Sequence, residues 1–191
     1  MRSRFALRAP QSPRRTPFLR VLLLIGSLVV TLAAGAVVSA SPAAASIPPR
    51  TALEKTIDWA IFDMINAERA AHGLRPLTMS PALRLSSRRH NLHMAAYNEM
   101  SHQLPGEPNF AQREQNAGYN WSWAGENIAW NSDMSLAGVK LLERIMYNEK
   151  PPDDGHRLNI LNTHFRNVGV DVYMDKTHHK VWLTTDFGAS F

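Results

Sequence analysis

Val168-Gly169-Val170-Asp171-Val172 and, beyond a polar stretch from Asp175 to Lys180, Val181-Trp182-Leu183 decide how this chain folds. Valine and leucine alternate there with polar or small residues, and a period of two puts every second side chain on one face of a strand. Two such runs around a polar turn predict a β-hairpin. Upstream, Trp123 to Trp130 holds Ile128 and a tryptophan at each end and predicts a third strand, although Gly125 weakens that reading. The rest of the pattern is helical. Leu53, Ile57, Ala60, Ile61, Met64 and Ile65 recur at three- and four-residue steps, with Thr51 placed to cap the start and Gly73 to close the end. Ser80-Pro81 opens a second helix running to about Met100, after a short connection at Leu74 to Leu77. Asn109 to Asn116 predicts a short helix stopped by Gly118, and a long one starts near Ser135, with Leu136, Val139, Leu142, Ile145 and Met146 on one face. Pro151-Pro152 cannot continue that helix, and Gly155 to Asn162 reads as one further turn. Helices before strands, with an antiparallel terminal pair, define an α+β domain in which helices cover a small sheet.

Residues 1–45 read as a secretory leader. Six arginines precede an 18-residue apolar run from Val21 to Val38, small residues follow, and Ala43-Ala44-Ala45 offers cleavage after Ala45. Gly26, Ser27, Thr31 and Gly35 weaken the run as a membrane anchor. Arg14-Arg15 before Phe18-Leu19 resembles a twin-arginine signal with one residue too many. Residues 46–56 form the lead-in and the start of the first helix, and 57–191 the working domain. The formal charge of +5 belongs to the leader: without it 15 basic residues face 16 acidic ones, so no excess of positive charge remains to draw nucleic acid. The expected product is a secreted or cell-envelope protein, a monomer with no membrane span once mature. With no cysteine in the chain, it relies on core packing rather than disulfides.

Complete catalytic signatures are absent: there is no H-E-x-x-H, no G-x-S-x-G, no phosphate loop and no cysteine nucleophile. What stands outside the periodic core is His102 after the second helix, Glu126 in the glycine-flanked strand, Glu149 at a helix end and His156 after Gly155. Such positions at element ends are where binding groups concentrate.

Six short motifs then occur in a telling order: Ile65-Asn66-Ala67-Glu68-Arg69 with Gly73-Leu74-Arg75-Pro76-Leu77, Met100-Ser101-His102, Ala117-Gly118-Tyr119, Gly125-Glu126-Asn127-Ile128-Ala129, Gly155-His156-Arg157-Leu158-Asn159-Ile160-Leu161, and Val168-Gly169-Val170. In this the chain resembles the bacterial branch of the CAP superfamily, the SCP-like, cysteine-rich secretory, antigen 5 and pathogenesis-related domains. The resemblance implies a three-layer α-β-α sandwich and a cleft with two histidines and two acids, at positions that match His102, Glu126, Glu149 and His156. The lack of disulfides, and Thr185 where bacterial relatives often have glutamine, argue against carrying over eukaryotic activities such as sterol binding.

Two neutral imidazoles, His102 and His156, can hold Zn²⁺ or another divalent cation and leave positions for water or a ligand. A small or lipidic molecule is a further candidate partner. In a metal-assisted hydrolase, Glu126 or Glu149 would be the general base. The alternative without metal is a hydrogen-bonded cluster that orders loops in an interaction module. His90 and His93, three apart on the second helix beside Arg88 and Arg89, read as packing or surface residues, His178-His179 as solvated, and Trp121, Trp123 and Trp130 as core.

Overall fold

A computed structural model of the protein describes residues 6–8 and 47–191. The apolar run and the cleavage site expected at Ala45 lie outside the described residues. Helix α1 (Ala52–Ala71) begins where Thr51 predicts it, with a reciprocal capping box: Glu54 N donates to Thr51 Oγ1 at 3.1 Å and Thr51 N to Glu54 Oε2 at 2.7 Å. Ser80 caps α2 (Pro81–Tyr97), which stops three residues short of Met100 because Asn98 turns left-handed at φ 51°. Asn109 caps α3 (Phe110–Asn116), and Ser135 caps α4 (Leu136–Tyr147). The last helix, α5 (Gly155–Ile160), has no cap bond from its own Asp154.

The hairpin forms as expected from β4 (Asn167–Asp175) and β5 (Lys180–Ser190), and β3 (Trp121–Asn131) pairs antiparallel with β5. Two strands escaped the sequence reading. Thr78–Met79 (β2) lies in the segment after the expected connection and pairs parallel with Asn167–Val168, and Ala6–Arg8 (β1) pairs antiparallel with Trp123–Gly125. The order is β1-β3-β5-β4-β2, with helices covering both faces.

The two faces differ in kind. Val168, Val170, Val172, Val181, Leu183 and Phe187 pack with Ile57, Ile61 and Ile65 of α1, Val139 and Met146 of α4 and Ile160 of α5. On the other face Gly169, Asp171, Thr184, Asp186 and Glu126 lie under α2 and α3, which answer with Ser86, Ser87, His90, Asn91, Arg113 and Glu114. Gly169 sets the spacing there. A Cβ on it would sit 2.2 Å from the backbone of Leu83 and Arg84, so α2 rests directly on β4. Ser87 Oγ then donates to Gly169 O at 3.0 Å and Asn91 Nδ2 to Asp171 Oδ2 at 2.9 Å.

Beyond the short pairing with β2, α1 closes the free edge of β4. Val172 N donates to Asp58 Oδ1 and Met174 N to Glu54 Oε1, each at 2.9 Å. Carboxylates four apart on a helix thus meet amides two apart on a strand, and that stretch of the edge is covered.

Two expectations about side chains need correction. Ile145 is 57% exposed; Glu143, buried with Val139 and Met146, takes its place on the inner face of α4. Trp130 is 41% exposed, with Lys180 Nζ 4.4 Å from its ring centroid, whereas Trp121 is buried. His178 is exposed as expected and also pairs with Asp175, Nδ1 to Oδ2 at 2.6 Å. Among the described residues no helix is long and apolar enough to cross a membrane.

Candidate functional site

Glu126 lies on the polar face of β3, fully buried. The glycine before it is required for a steric reason: a Cβ on Gly125 would meet Phe165 Cζ at 2.7 Å. The loop that follows α2 brings His102 to this point, and Glu107 braces the loop by accepting from Leu104 N at 3.3 Å and pairing with His90 Nδ1 at 2.9 Å. His102 Nδ1 then stands 2.8 Å from Glu126 Oε1. The other carboxylate oxygen, Oε2, receives Arg113 Nη2 from α3. Burial would raise the Glu126 pKa, but the hydrogen bond with His102 and the charges of His90 and Arg113 outweigh it and hold the group below the usual glutamate value. An ionised Glu126 makes His102 Nδ1 the donor, so ligation by His102 would go through Nε2.

The second pair is local. Glu149 follows the end of α4, and its carboxylate supplies the cap that Asp154 does not. His156 N donates to Oε2 at 3.0 Å and Arg157 N to the same oxygen at 3.4 Å, while His156 Nδ1 meets Oε1 at 2.5 Å. Two asparagines bolt the pairs together. Asn127, next to Glu126, donates to His156 O at 3.1 Å, and Asn159 of α5 donates to Glu126 O at 3.2 Å and Asn127 Oδ1 at 2.9 Å.

All four residues singled out in the sequence are therefore joined, as two histidine–glutamate dyads on one scaffold. Both histidines are partly exposed, with side chains 26% and 31% accessible for His102 and His156. Among the described residues no group of three or more histidine, aspartate or glutamate side chains converges as a metal cage. Each of the two imidazoles has a carboxylate behind its Nδ1, the kind of outer partner that orients histidine ligands. A cavity of about 880 Å³ lies elsewhere, against Ser80, Tyr119, Trp121 and Phe191, and none of the four residues lines it.

Sequence reasoning missed the residues around Glu126. Asp186 is its direct neighbour on β5, fully buried beside Ser86 and Ser87, and Glu114 on α3 is fully buried with neither carboxylate oxygen hydrogen-bonded. Burial first, then the charge of Glu126, pushes the Asp186 carboxyl well above the aspartate range; burial, with Asp186 and Glu126, does the same to Glu114. One signal was available: Phe110, Arg113 and Glu114 share a helical face, so a short helix anchored by Phe110 must bury the other two. His90 is a buried packing residue, its Nε2 3.9 Å from Glu126 Oε2. His164 stacks on Trp123 with ring centroids 3.9 Å apart.

Fold and site together define a class, an α-β-α sandwich carrying two histidine–glutamate dyads. The chain belongs to the Cysteine-rich secretory protein family (CAP), whose profile matches residues 62–187. It is 33% identical over 110 residues to the protein YkwD of Bacillus subtilis, a match that takes in 58% of this chain and 40% of YkwD. An extracellular protein containing an SCP domain from Bacillus anthracis superposes with a TM-score of 0.62 at 30% identity, over 75% of this chain and 45% of that one. The chain thus spans less than half the length of these two relatives. An outer surface protein of Borrelia burgdorferi shares the fold at TM-score 0.61 and 18% identity, covering 72% of this chain and 95% of its own. NaASP2, whose structure was determined with Zn²⁺, shares the fold at TM-score 0.54 and 11% identity, over 75% of this chain and 84% of its own.

Proposed function

We propose that this is an exported, extracellular or envelope-associated protein that holds a divalent cation, zinc or one like it, between His102 and His156. The open positions of that cation would take a small or lipidic ligand. The observation that carries this reading is the engagement of both imidazoles at Nδ1 by a carboxylate, with Asn127 and Asn159 locking the two dyads to each other. Paired Nδ1 atoms make Nε2 the ligating atom of each ring, and a bound cation would polarise whatever occupies its remaining positions. Zinc in NaASP2 and the extracellular description of the Bacillus anthracis relative agree with this reading.

Within it Glu126 orients His102 and does not act as a general base. A base must meet the water it deprotonates, and Glu126 is buried with one oxygen on His102 and the other on Arg113. Glu149 is the carboxylate with access to solvent.

The test is calorimetric titration of zinc into leaderless protein purified without chelator or metal-affinity tag. Binding is expected near neutral pH, weaker in acid because protonated imidazole cannot ligate, and lost in the His102→Ala, His156→Ala double variant. Equal binding by the double variant would overturn the reading.

A further inference from the structure

The loop that carries His102 and the strand that carries Glu126 are separate pieces of chain, and the cluster of acids beneath them gives Arg113 several alternative partners. One side chain touches both halves of the dyad. Arg113, buried on α3, sends Nη2 to Glu126 Oε2, while Nη1 donates to His102 O at 2.9 Å and Pro108 O at 3.2 Å and lies 3.5 Å from Glu107 Oε2. We infer that Arg113 is the positioning residue of the site: one guanidinium sets the carboxylate and the backbone carbonyl of the His102–Glu126 pair against each other, and so fixes which nitrogen of His102 is offered to a ligand.

The chemistry of the group suits this task. Guanidinium is planar and always charged, and its separate N–H arms can hold a carboxylate and two carbonyls at once; an ammonium is a point charge that cannot reproduce that fork. The surroundings direct it. Asp186 faces Glu126 across the strand pair and would compete for the arginine if ionised, as would Glu114. Both are fully buried, and their preference for the neutral form leaves Arg113 committed to Glu126. The other dyad is fastened differently, with Glu149 held by the backbone amides of His156 and Arg157.

This inference rests on the dyad reading of the site, and its test is arranged to fail separately from it. Imidazole ¹⁵N spectra of the metal-free protein in mildly alkaline buffer report the tautomer of each histidine. In the unsubstituted protein His102 is expected as a single Nδ1–H tautomer. Arg113→Lys should turn His102 into a mixture of tautomers and leave His156 unchanged, whereas Asp186→Asn should leave both as they were. If zinc binds as proposed, the lysine variant should bind on the order of 10–100-fold more weakly, the usual effect of losing an outer partner of a ligand. A fixed Nδ1–H tautomer in Arg113→Lys would overturn the inference even if zinc binds, and so would an equal disturbance from Asp186→Asn. Should the lysine variant not fold, the unsubstituted protein still decides. The Arg113 Nη signals should be resolved and slow to exchange, with a coupling across the hydrogen bond to Glu126; one averaged, fast-exchanging signal would refute the clamp.

Discussion

The two faces of the sheet are built from the same strands and obey different rules. On the side of α1, α4 and α5, branched aliphatic residues interlock in a continuous apolar core. On the side of α2 and α3, successive rows across β3, β5 and β4 read Glu126–Asp186–Gly169, then Ile128–Thr184–Asp171, and a helix with paired serines and a buried asparagine lies directly on them. Apolar packing tolerates exchange of one shape for a similar one, because it is not directional. A buried polar layer does not, because each group depends on a particular partner at a particular distance. The His102–Glu126 dyad is built on the second face, where a glutamate is kept dry, charged and pointed at one histidine.

That contrast can be broken most severely at Gly169. Gly169→Val places carbon where the α2 backbone already lies, and α2 cannot retreat without losing the bonds of Ser87 and Asn91. A loss of more than about 4 kcal/mol is expected in urea unfolding, with the His102 loop disordered at concentrations where the far face still folds. On the apolar face, Ile61→Ala should cost about 3 kcal/mol through lost burial and a cavity. It should also leave the His102 spectrum unchanged; a shift there would mean that the faces are more tightly coupled than described.

The smallest effect is a slope with pH. Burial, with the nearby charge of Asp58, pushes Asp171 up to about 8 against the partial relief of Arg88, and burial takes Asp58 to about 6. Groups raised on folding hold protons that the unfolded chain has released, so their stabilising effect is complete below the ordinary aspartate pKa and is lost as pH rises through the folded value. Stability should therefore fall from about pH 4 to about pH 8, by at most about 1.4 kcal/mol per pH unit for each proton still held, with the Asp58 share lost by about pH 6. Asp171→Asn should flatten that part of the curve. Between α1 and α4 burial acts with the same sign, raising Glu68 to about 7 beside Glu143. Glu143→Gln should remove that share, and a curve indifferent to both substitutions would contradict the assignment of these protons.

Much of this was legible along the chain. Thr51, Ser80, Asn109 and Ser135 cap helices where a short polar side chain precedes an apolar repeat, because capping is settled within four residues. Asn66 and Arg69, met first as parts of a motif, turn out to be fasteners: Asn66 brackets the Leu77 backbone, and Arg69 ends α5 by donating to Ile160 O and Asn162 O. Ile145 and Trp130 misled because a periodic pattern says which positions share a side and not how far the covering layer extends. Thr78–Met79 gave no signal because two residues are too few to show a period.

The sequence by itself determined the helices, the hairpin, the family resemblance and the four residues that became two dyads, since local periods, caps and ordered motifs depend on neighbours along the chain. Only the tertiary structure decided that Arg113 belongs to Glu126, that Asp186 stands opposite it, and that Asn127 and Asn159 join the dyads. Those pairings link residues far apart in the chain across a buried face of low dielectric, where the choice of partner is made by distance and desolvation together, and neither can be read along a chain.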